Sequence, residues 1–396
     1  MYYMAKSKFL AFALFILFLK CLLFAVPAYE KDFIRGDITC KIAAVERAAS
    51  VGDNQFLCKS IDFCLSAKEI LGNDASLDSL MLSSATALNI NALAPHVKEK
   101  VSADLGKAFT MFSNGNVRIA ILDKFLVYLS SENLQILNSF IAEKAQSAAD
   151  CAVPQPLDAV CKKTLAVLKK FGDKNSFSIL FSADMMDVWS DNRTEVEAAY
   201  APLAYEAETE LLRITDSSDI NGRIKILRIL KENDVIPYRT KGKVAEKIFS
   251  DEIFIIKDNL GITSEKEATL YTSAVSLIAD CRWTRSAQDL IDSFPYAGSA
   301  YKEDLITTDQ FSQVITDIAY LAWPGTGELL SRYLNTLNKD MENGRSPEKR
   351  VVLSVIKALG GLGDKAAFYN LLYVTYLNYP GEVTDAARVA LAKLKW

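Results

Sequence analysis

Chemistry in a protein of this length usually announces itself through histidines, paired acids or cysteines, and here each set is sparse. The 396-residue chain has one histidine, His96, in Ala94-Pro95-His96-Val97. A single imidazole excludes multi-histidine metal sites and the HExxH metalloprotease helix. A Ser–His–Asp site would have to run through His96, and no GxSxG elbow exists to present a nucleophile. A surface or capping role just after Pro95 is the plainer reading. Neither a P-loop nor a GxGxxG fingerprint occurs, and Gly325-Thr326-Gly327 after Trp323-Pro324 reads as a tight inter-helix turn. Asp184, Asp187 and Asp191 fall at i, i+3 and i+7 and would share one helical face. Hard cations take several oxygen ligands, but the segment lacks calcium-loop turns, so a solvated acidic face is preferred. No catalytic residue, cofactor site or metal site is assigned.

Six cysteines follow residue 28: Cys40, Cys58, Cys64, Cys151, Cys161 and Cys281. None forms a CxxC pair, which argues against a zinc ribbon or a thioredoxin-like centre. On one helix, Cys58 and Cys64 would stand about 9 Å apart, too far to bridge. A hairpin turning at Gly52-Asp53 would set Cys40 level with Cys64. Cys40–Cys64 is therefore the first candidate disulfide, and Cys151–Cys161 the second.

Charge excludes another class. The net charge is −4, without the basic face that nucleic acid requires. The densest basic stretch, Arg239 to Lys243 with Lys247, lies beside Glu246 and reads as a solvated helix start rather than an anion site. The best candidate for partner contact is aromatic. Tyr369, Tyr373 and Tyr376 follow i, i+4, i+7 on a helix expected over 366–378, opposite an Ala367, Leu371, Val374 stripe. Tyrosine offers broad contact area with a polar tip; packing against the preceding repeat is the alternative.

The elements that would position these residues are helices. Gly (17) and Pro (10) are scarce, unlike in loop-rich β folds. Ile253 to Ile256 is the one β-like run, and a helix could absorb it. Lys6 and Lys8 followed by the apolar Phe9–Leu19 predict an export signal ending at Ala28, with Val26 and Ala28 at the cleavage site. Removing residues 1–28 takes away Lys6, Lys8 and Lys20 and no acid. An uncleaved anchor over 9–28 would bury Lys20 in the membrane at a cost of about 2.5–3.5 kcal/mol. Asn192-Arg193-Thr194 is a glycosylation sequon, meaningful only in a eukaryotic secretory pathway.

Beyond the signal, first helices of pairs are expected to begin near 38, 77, 116, 156, 194, 220, 265, 308 and 348. Most intervals are close to 40; the one from 194 to 220 is short and suggests an irregular unit. Three turns recur in one context: Val51-Gly52-Asp53, Phe171-Gly172-Asp173 and Leu362-Gly363-Asp364. In each, glycine would end a helix left-handed and aspartate would cap the next. Thr194/Glu197, Ser264/Glu267 and Thr307/Gln310 read as capping boxes, and Ser346-Pro347 as an N-cap before a first-turn proline. Stripes such as Leu122, Phe125, Leu126, Leu129 and Val352, Val355, Ile356, Leu359 are amphipathic at helical period.

The segment Gly363 to Leu394, GDKAAFYNLLYVTYLNYPGEVTDAARVALAKL, resembles HEAT-like (armadillo-type) helical repeats, and the match spans about residues 347–396. It is partial at 115–150, 156–190 and 219–250. The resemblance implies an all-α solenoid of antiparallel helix hairpins acting as a non-enzymatic platform for protein partners. The domain order expected is a signal peptide (1–28), N-terminal repeats (29–190), irregular repeats (191–300) and C-terminal HEAT-like repeats (301–396). The function expected is an exported, periplasmic or secreted module that binds a protein or peptide, with no cofactor, no nucleic acid, and membrane contact only through an uncleaved N-terminus. The alternatives are a carbohydrate-active enzyme on an α/α toroid and a membrane-tethered assembly factor.

Overall fold

The computed structural model describes residues 27–151 and 156–395. Among them are twenty α-helices and no β-strand; Asp364 and Lys395 form one isolated bridge. The expected export signal lies outside the described residues except for Pro27 and Ala28, and Ala28 opens the first helix. No described helix is long and apolar enough to cross a membrane. Two compact units are present: one runs to Gly172 and takes in Val188–Glu195, the other comprises Asp173–Asp187 and the chain from Val196. The division expected at 300/301 falls inside a helix.

The first unit holds α1 (Ala28–Arg35), α2 (Ile38–Ser50), α3 (Asn54–Leu71), α4 (Ala75–Ala87), α5 (Pro95–Met111), α6 (Gly115–Phe125), α7 (Ser131–Ala149) and α8 (Ala159–Phe171). The alternate helices α2, α4, α6 and α8 pack in one row, α3, α5 and α7 in another, and successive helices pack across the rows. An amphipathic helix buries its stripe only against such neighbours. Val45, Leu80, Ile121 and Leu165 of the first row are accordingly buried. Each apolar side chain so covered contributes about 1.5–3 kcal/mol.

The second unit begins with α9 (Lys174–Met185) and then passes through α10 (Arg193–Tyr200), whose first three residues belong to the other unit, and a 3-10 turn, Ala201–Tyr205. It continues with α11 (Glu208–Ser217), α12 (Ile220–Glu232), α13 (Tyr238–Asp258), α14 (Glu265–Asp280), α15 (Ala287–Lys302), α16 (Thr308–Leu321), α17 (Thr326–Glu342), α18 (Lys349–Leu362), α19 (Phe368–Val374) and α20 (Gly381–Ala392). Here α12, α14, α16, α18 and α20 form one row. The other row runs α9, α11, α13, α15, then α17 with α19, with a groove between α15 and α17. The interval from 194 to 220 holds most of the short α10, its 3-10 turn and α11. Ile253 to Ile256 lies inside α13.

Helix boundaries follow cap chemistry. Asp37, Asp53, Asp74, Asn114, Asp158, Asp173 and Asp219 each accept amides of the helix they precede. Thr307 and Gln310 form the expected capping box. Ser264 accepts the Glu267 amide, but the Glu267 carboxylate turns to Thr263 instead of closing the box. Thr194 lies inside α10, and α18 starts at Lys349 with Glu348, not Ser346, as its cap. Gly52 and Gly363 take the left-handed conformation (φ 73° and 68°). Gly172 does not; its backbone is extended at φ −63°, ψ 158°. The left-handed position is instead filled by Arg282 and Ala322 after α14 and α16. Together with Gly363 these stand roughly 40 residues apart, a repeat that a search for glycine passes over.

Candidate functional site

The tyrosines nominated from sequence sit at the C-terminal end of the second unit. Gly363 ends α18, Asp364 accepts the Ala366 amide, and a 3-10 turn over Lys365–Ala367 leads into α19. The Lys395 amide donates to the Gly363 carbonyl at 2.8 Å, tying the chain's last described residue to this turn. Ala367, Leu371 and Val374 are fully buried, as their spacing requires. Tyr369 and Tyr376 are 80% and 76% exposed. Tyr373 is half-buried, and its hydroxyl bonds the Glu342 carboxylate of α17, which raises its ionisation above the ordinary phenol range. The helix expected over 366–378 is shorter: α19 ends at Val374, and Tyr376 sits in the following turn with its amide on the Tyr373 carbonyl.

Polar side chains hold this short element to α17. The Asn370 amide donates to Ser331, Asn338 donates to the Asn370 carbonyl at 3.0 Å, and the Tyr379 hydroxyl donates to Asn338. The Ser331 hydroxyl donates to the Ala366 carbonyl at 3.0 Å. The aromatic surface is thus presented on a fixed backbone, which lowers the ordering cost of contact.

A second concavity lies at the turns that follow α16 and α18. A cavity of about 640 Å³ is walled by Tyr320, Trp323, Pro324, Gly361, Asp364 and Lys395. Arg282 donates to the Tyr320 hydroxyl at 2.9 and 2.6 Å. Among its lining residues one carboxylate, Asp364, and one ammonium, Lys395, carry charge. Sequence does not nominate Tyr320, because its contact with Arg282 joins residues 38 apart.

The remaining candidates separate. Asp184 is buried and accepts the Tyr200 hydroxyl at 2.8 Å; α9 ends at Met185, so Asp187 and Asp191 do not share its face. Asp187 pairs with Lys225. Among the described residues no cluster of His, Cys, Asp and Glu could hold a metal. His96 is exposed in the first turn of α5. In the basic stretch, Lys241 is buried, Gly242 lies under Trp283, Lys243 pairs with Glu208, and Lys247 pairs with Asp216 and Asp251. Lys243 and Lys247 are thus engaged by carboxylates of this chain.

Cys40 is exposed at the start of α2, whereas Cys64 is buried in α3 against the Ser84 hydroxyl, and both are free thiols. The hairpin turns at Gly52-Asp53 as expected, but the two side chains occupy different surroundings and no bridge joins them. Burial pushes the Cys64 thiol up to about 12. Cys161 is likewise a free thiol, buried in the first turn of α8, so the Cys151–Cys161 bridge is not formed.

The described residues define an all-α protein built of packed helix pairs. Comparison with protein-family models, curated proteins and solved structures gives no match.

Proposed function

We propose that the protein is an exported α-solenoid of HEAT-like helix pairs that serves as a non-enzymatic binding or scaffolding module for a protein or peptide in the cell envelope. Export is read from Lys6, Lys8 and the apolar run after them. The solenoid reading is supported by alternate helices packing in two rows and by left-handed helix ends recurring about every 40 residues. The observation that carries the binding role is the exposure of Tyr369 and Tyr376 beside a fully buried stripe on the same short segment. Large aromatic side chains held in solvent on a fixed backbone are suited to be covered by a partner.

The test is affinity capture from the native envelope fraction, with the wild type and a Tyr369/Tyr373/Tyr376→Ala variant of equal thermal stability. Loss of a partner in the variant supports the reading. Retention of every partner overturns the tyrosine face. Intact-mass measurement of the secreted protein tests export separately: a mature chain starting at Tyr29 is expected.

A further inference from the structure

We propose that the groove between α5 and α7 binds a peptide by seating an acidic side chain on Arg118. The groove encloses about 600 Å³ within the first unit, lined by Arg118, Phe109, Ile136 and Phe140 and also by Glu132 and Glu143. Arg118 reaches it from α6 and is locked in place. Its Nε donates to the carbonyls of Phe109 (3.1 Å) and Phe112 (2.8 Å), and its guanidinium carbon lies 5.3 Å from the ring centroids of both Phe109 and Phe140. Among the described residues, no hydrogen bond or ion pair occupies its terminal nitrogens. Arg47, Arg213, Arg223, Arg345, Arg350 and Arg388, by contrast, each meet a carboxylate. Partial burial weakens the hold of Arg118 on its proton, while Asp158 and Cys161 act in the opposite direction.

A fixed guanidinium fork matches a carboxylate in two parallel bonds, and the flanking rings offer apolar cover. Glu132 and Glu143, eleven residues apart on α7 and so about 16 Å along the helix, repel a phosphate-like dianion more strongly than a single carboxylate. They favour cations on both sides of a single negative charge. The complementary ligand is an extended segment with one acidic residue beside an apolar one, flanked by lysines. These residues are separate from the tyrosine face, so either site can fail without the other.

Calorimetry of the purified protein with acetyl-Lys-Ala-Phe-Glu-Ala-Lys-amide tests the idea, with the same peptide carrying Gln for Glu as the control. The Glu peptide is expected to bind at least tenfold more tightly than the Gln peptide. Arg118→Lys keeps the charge but loses the fork, and should weaken the Glu peptide at least tenfold. Ser139→Trp, an exposed change that fills the groove, should abolish binding and guards against an Arg118 variant that fails to fold. Equal affinity for the two peptides, no binding at millimolar concentration, or equal competition by inorganic phosphate would each overturn the proposal.

Discussion

The side-chain amide of Asn370 donates to both the carbonyl and the hydroxyl of Ser331, at 2.9 Å each, and so fastens α19 to α17. A helix of seven residues has no stability of its own in water, so this contact and the buried Leu371 and Val374 decide whether the tyrosines stay in place. Asn370→Ala is expected to cost about 1–3 kcal/mol, the usual penalty for stranding buried polar partners. Denaturant unfolding would give the cost, and hydrogen exchange should accelerate first at residues 366–379. Unchanged exchange there would show that apolar packing alone holds α19.

Gly242 lies against the indole of Trp283, where an added Cβ would meet the ring at 2.6 Å. The ring cannot swing away freely, since its Nε1 donates to Glu246 at 2.9 Å. Gly242→Ala should therefore destabilise by about 1–3 kcal/mol through overpacking, although alanine ordinarily favours a helix over glycine. Gly361→Ala, on α18 with open space around it, should be neutral or stabilising. Equal melting temperatures for the two variants would refute the contact.

Two buried acids set a pH dependence. Burial, with Glu267 nearby, pushes Glu252 up to about 7 against the pull of Arg223, and one of its oxygens lacks a hydrogen-bond partner among the described residues. Burial likewise lifts Asp317 to about 6, despite the Gln313 side chain that donates to it. For an acid whose folded pKa exceeds its unfolded one, the native state holds the proton more tightly. The associated stability is complete below the unfolded value and is lost as pH rises through the folded one. Their contribution should thus decline between about pH 4 and 7. Glu252→Gln removes part of that slope and is expected to raise stability at pH 8 by about 1–3 kcal/mol. Unfolding curves of wild type and variant from pH 4 to 8 would check this; parallel profiles would count against it.

Thiol reactivity separates the cysteines. Only a thiolate is nucleophilic, so Cys64, buried and with its ionisation raised to about 12, should resist iodoacetamide until the protein unfolds. Exposed Cys40 should be alkylated in the native state, slowly, because Asp37 holds its proton on. Peptide mapping gives both answers, and a Cys40–Cys64 linked peptide under non-reducing conditions would reverse the assignment.

Much of the helical order was legible in the residues. Helix starts expected near 38, 220, 265 and 308 fall at Ile38, Ile220, Glu265 and Thr308, because capping is a local contract between one side chain and amides within three residues. Burial of Val352, Val355, Ile356 and Leu359 follows equally from their 3.6-residue period. The tyrosine spacing shows two opposed faces on α19 but leaves open which of them is buried, and does not show that the helix stops at Val374.

What escaped the sequence depends on groups distant along the chain. Arg118 reads in the sequence only as part of a helix opening; it becomes a groove residue because the C-terminal end of α5 presents two carbonyls to its Nε while Phe109 and Phe140 come from different helices. Cys40 and Cys64 share a hairpin, and only the packing of α4 against it shows that one thiol faces the interior and the other solvent. Sequence by itself determined the class of secondary structure, since caps and periodicity act over a few residues. Tertiary structure decided which of the remaining charges find partners and which aromatic rings stay in water, since desolvation and pairs such as Lys243–Glu208 are set by groups on other helices.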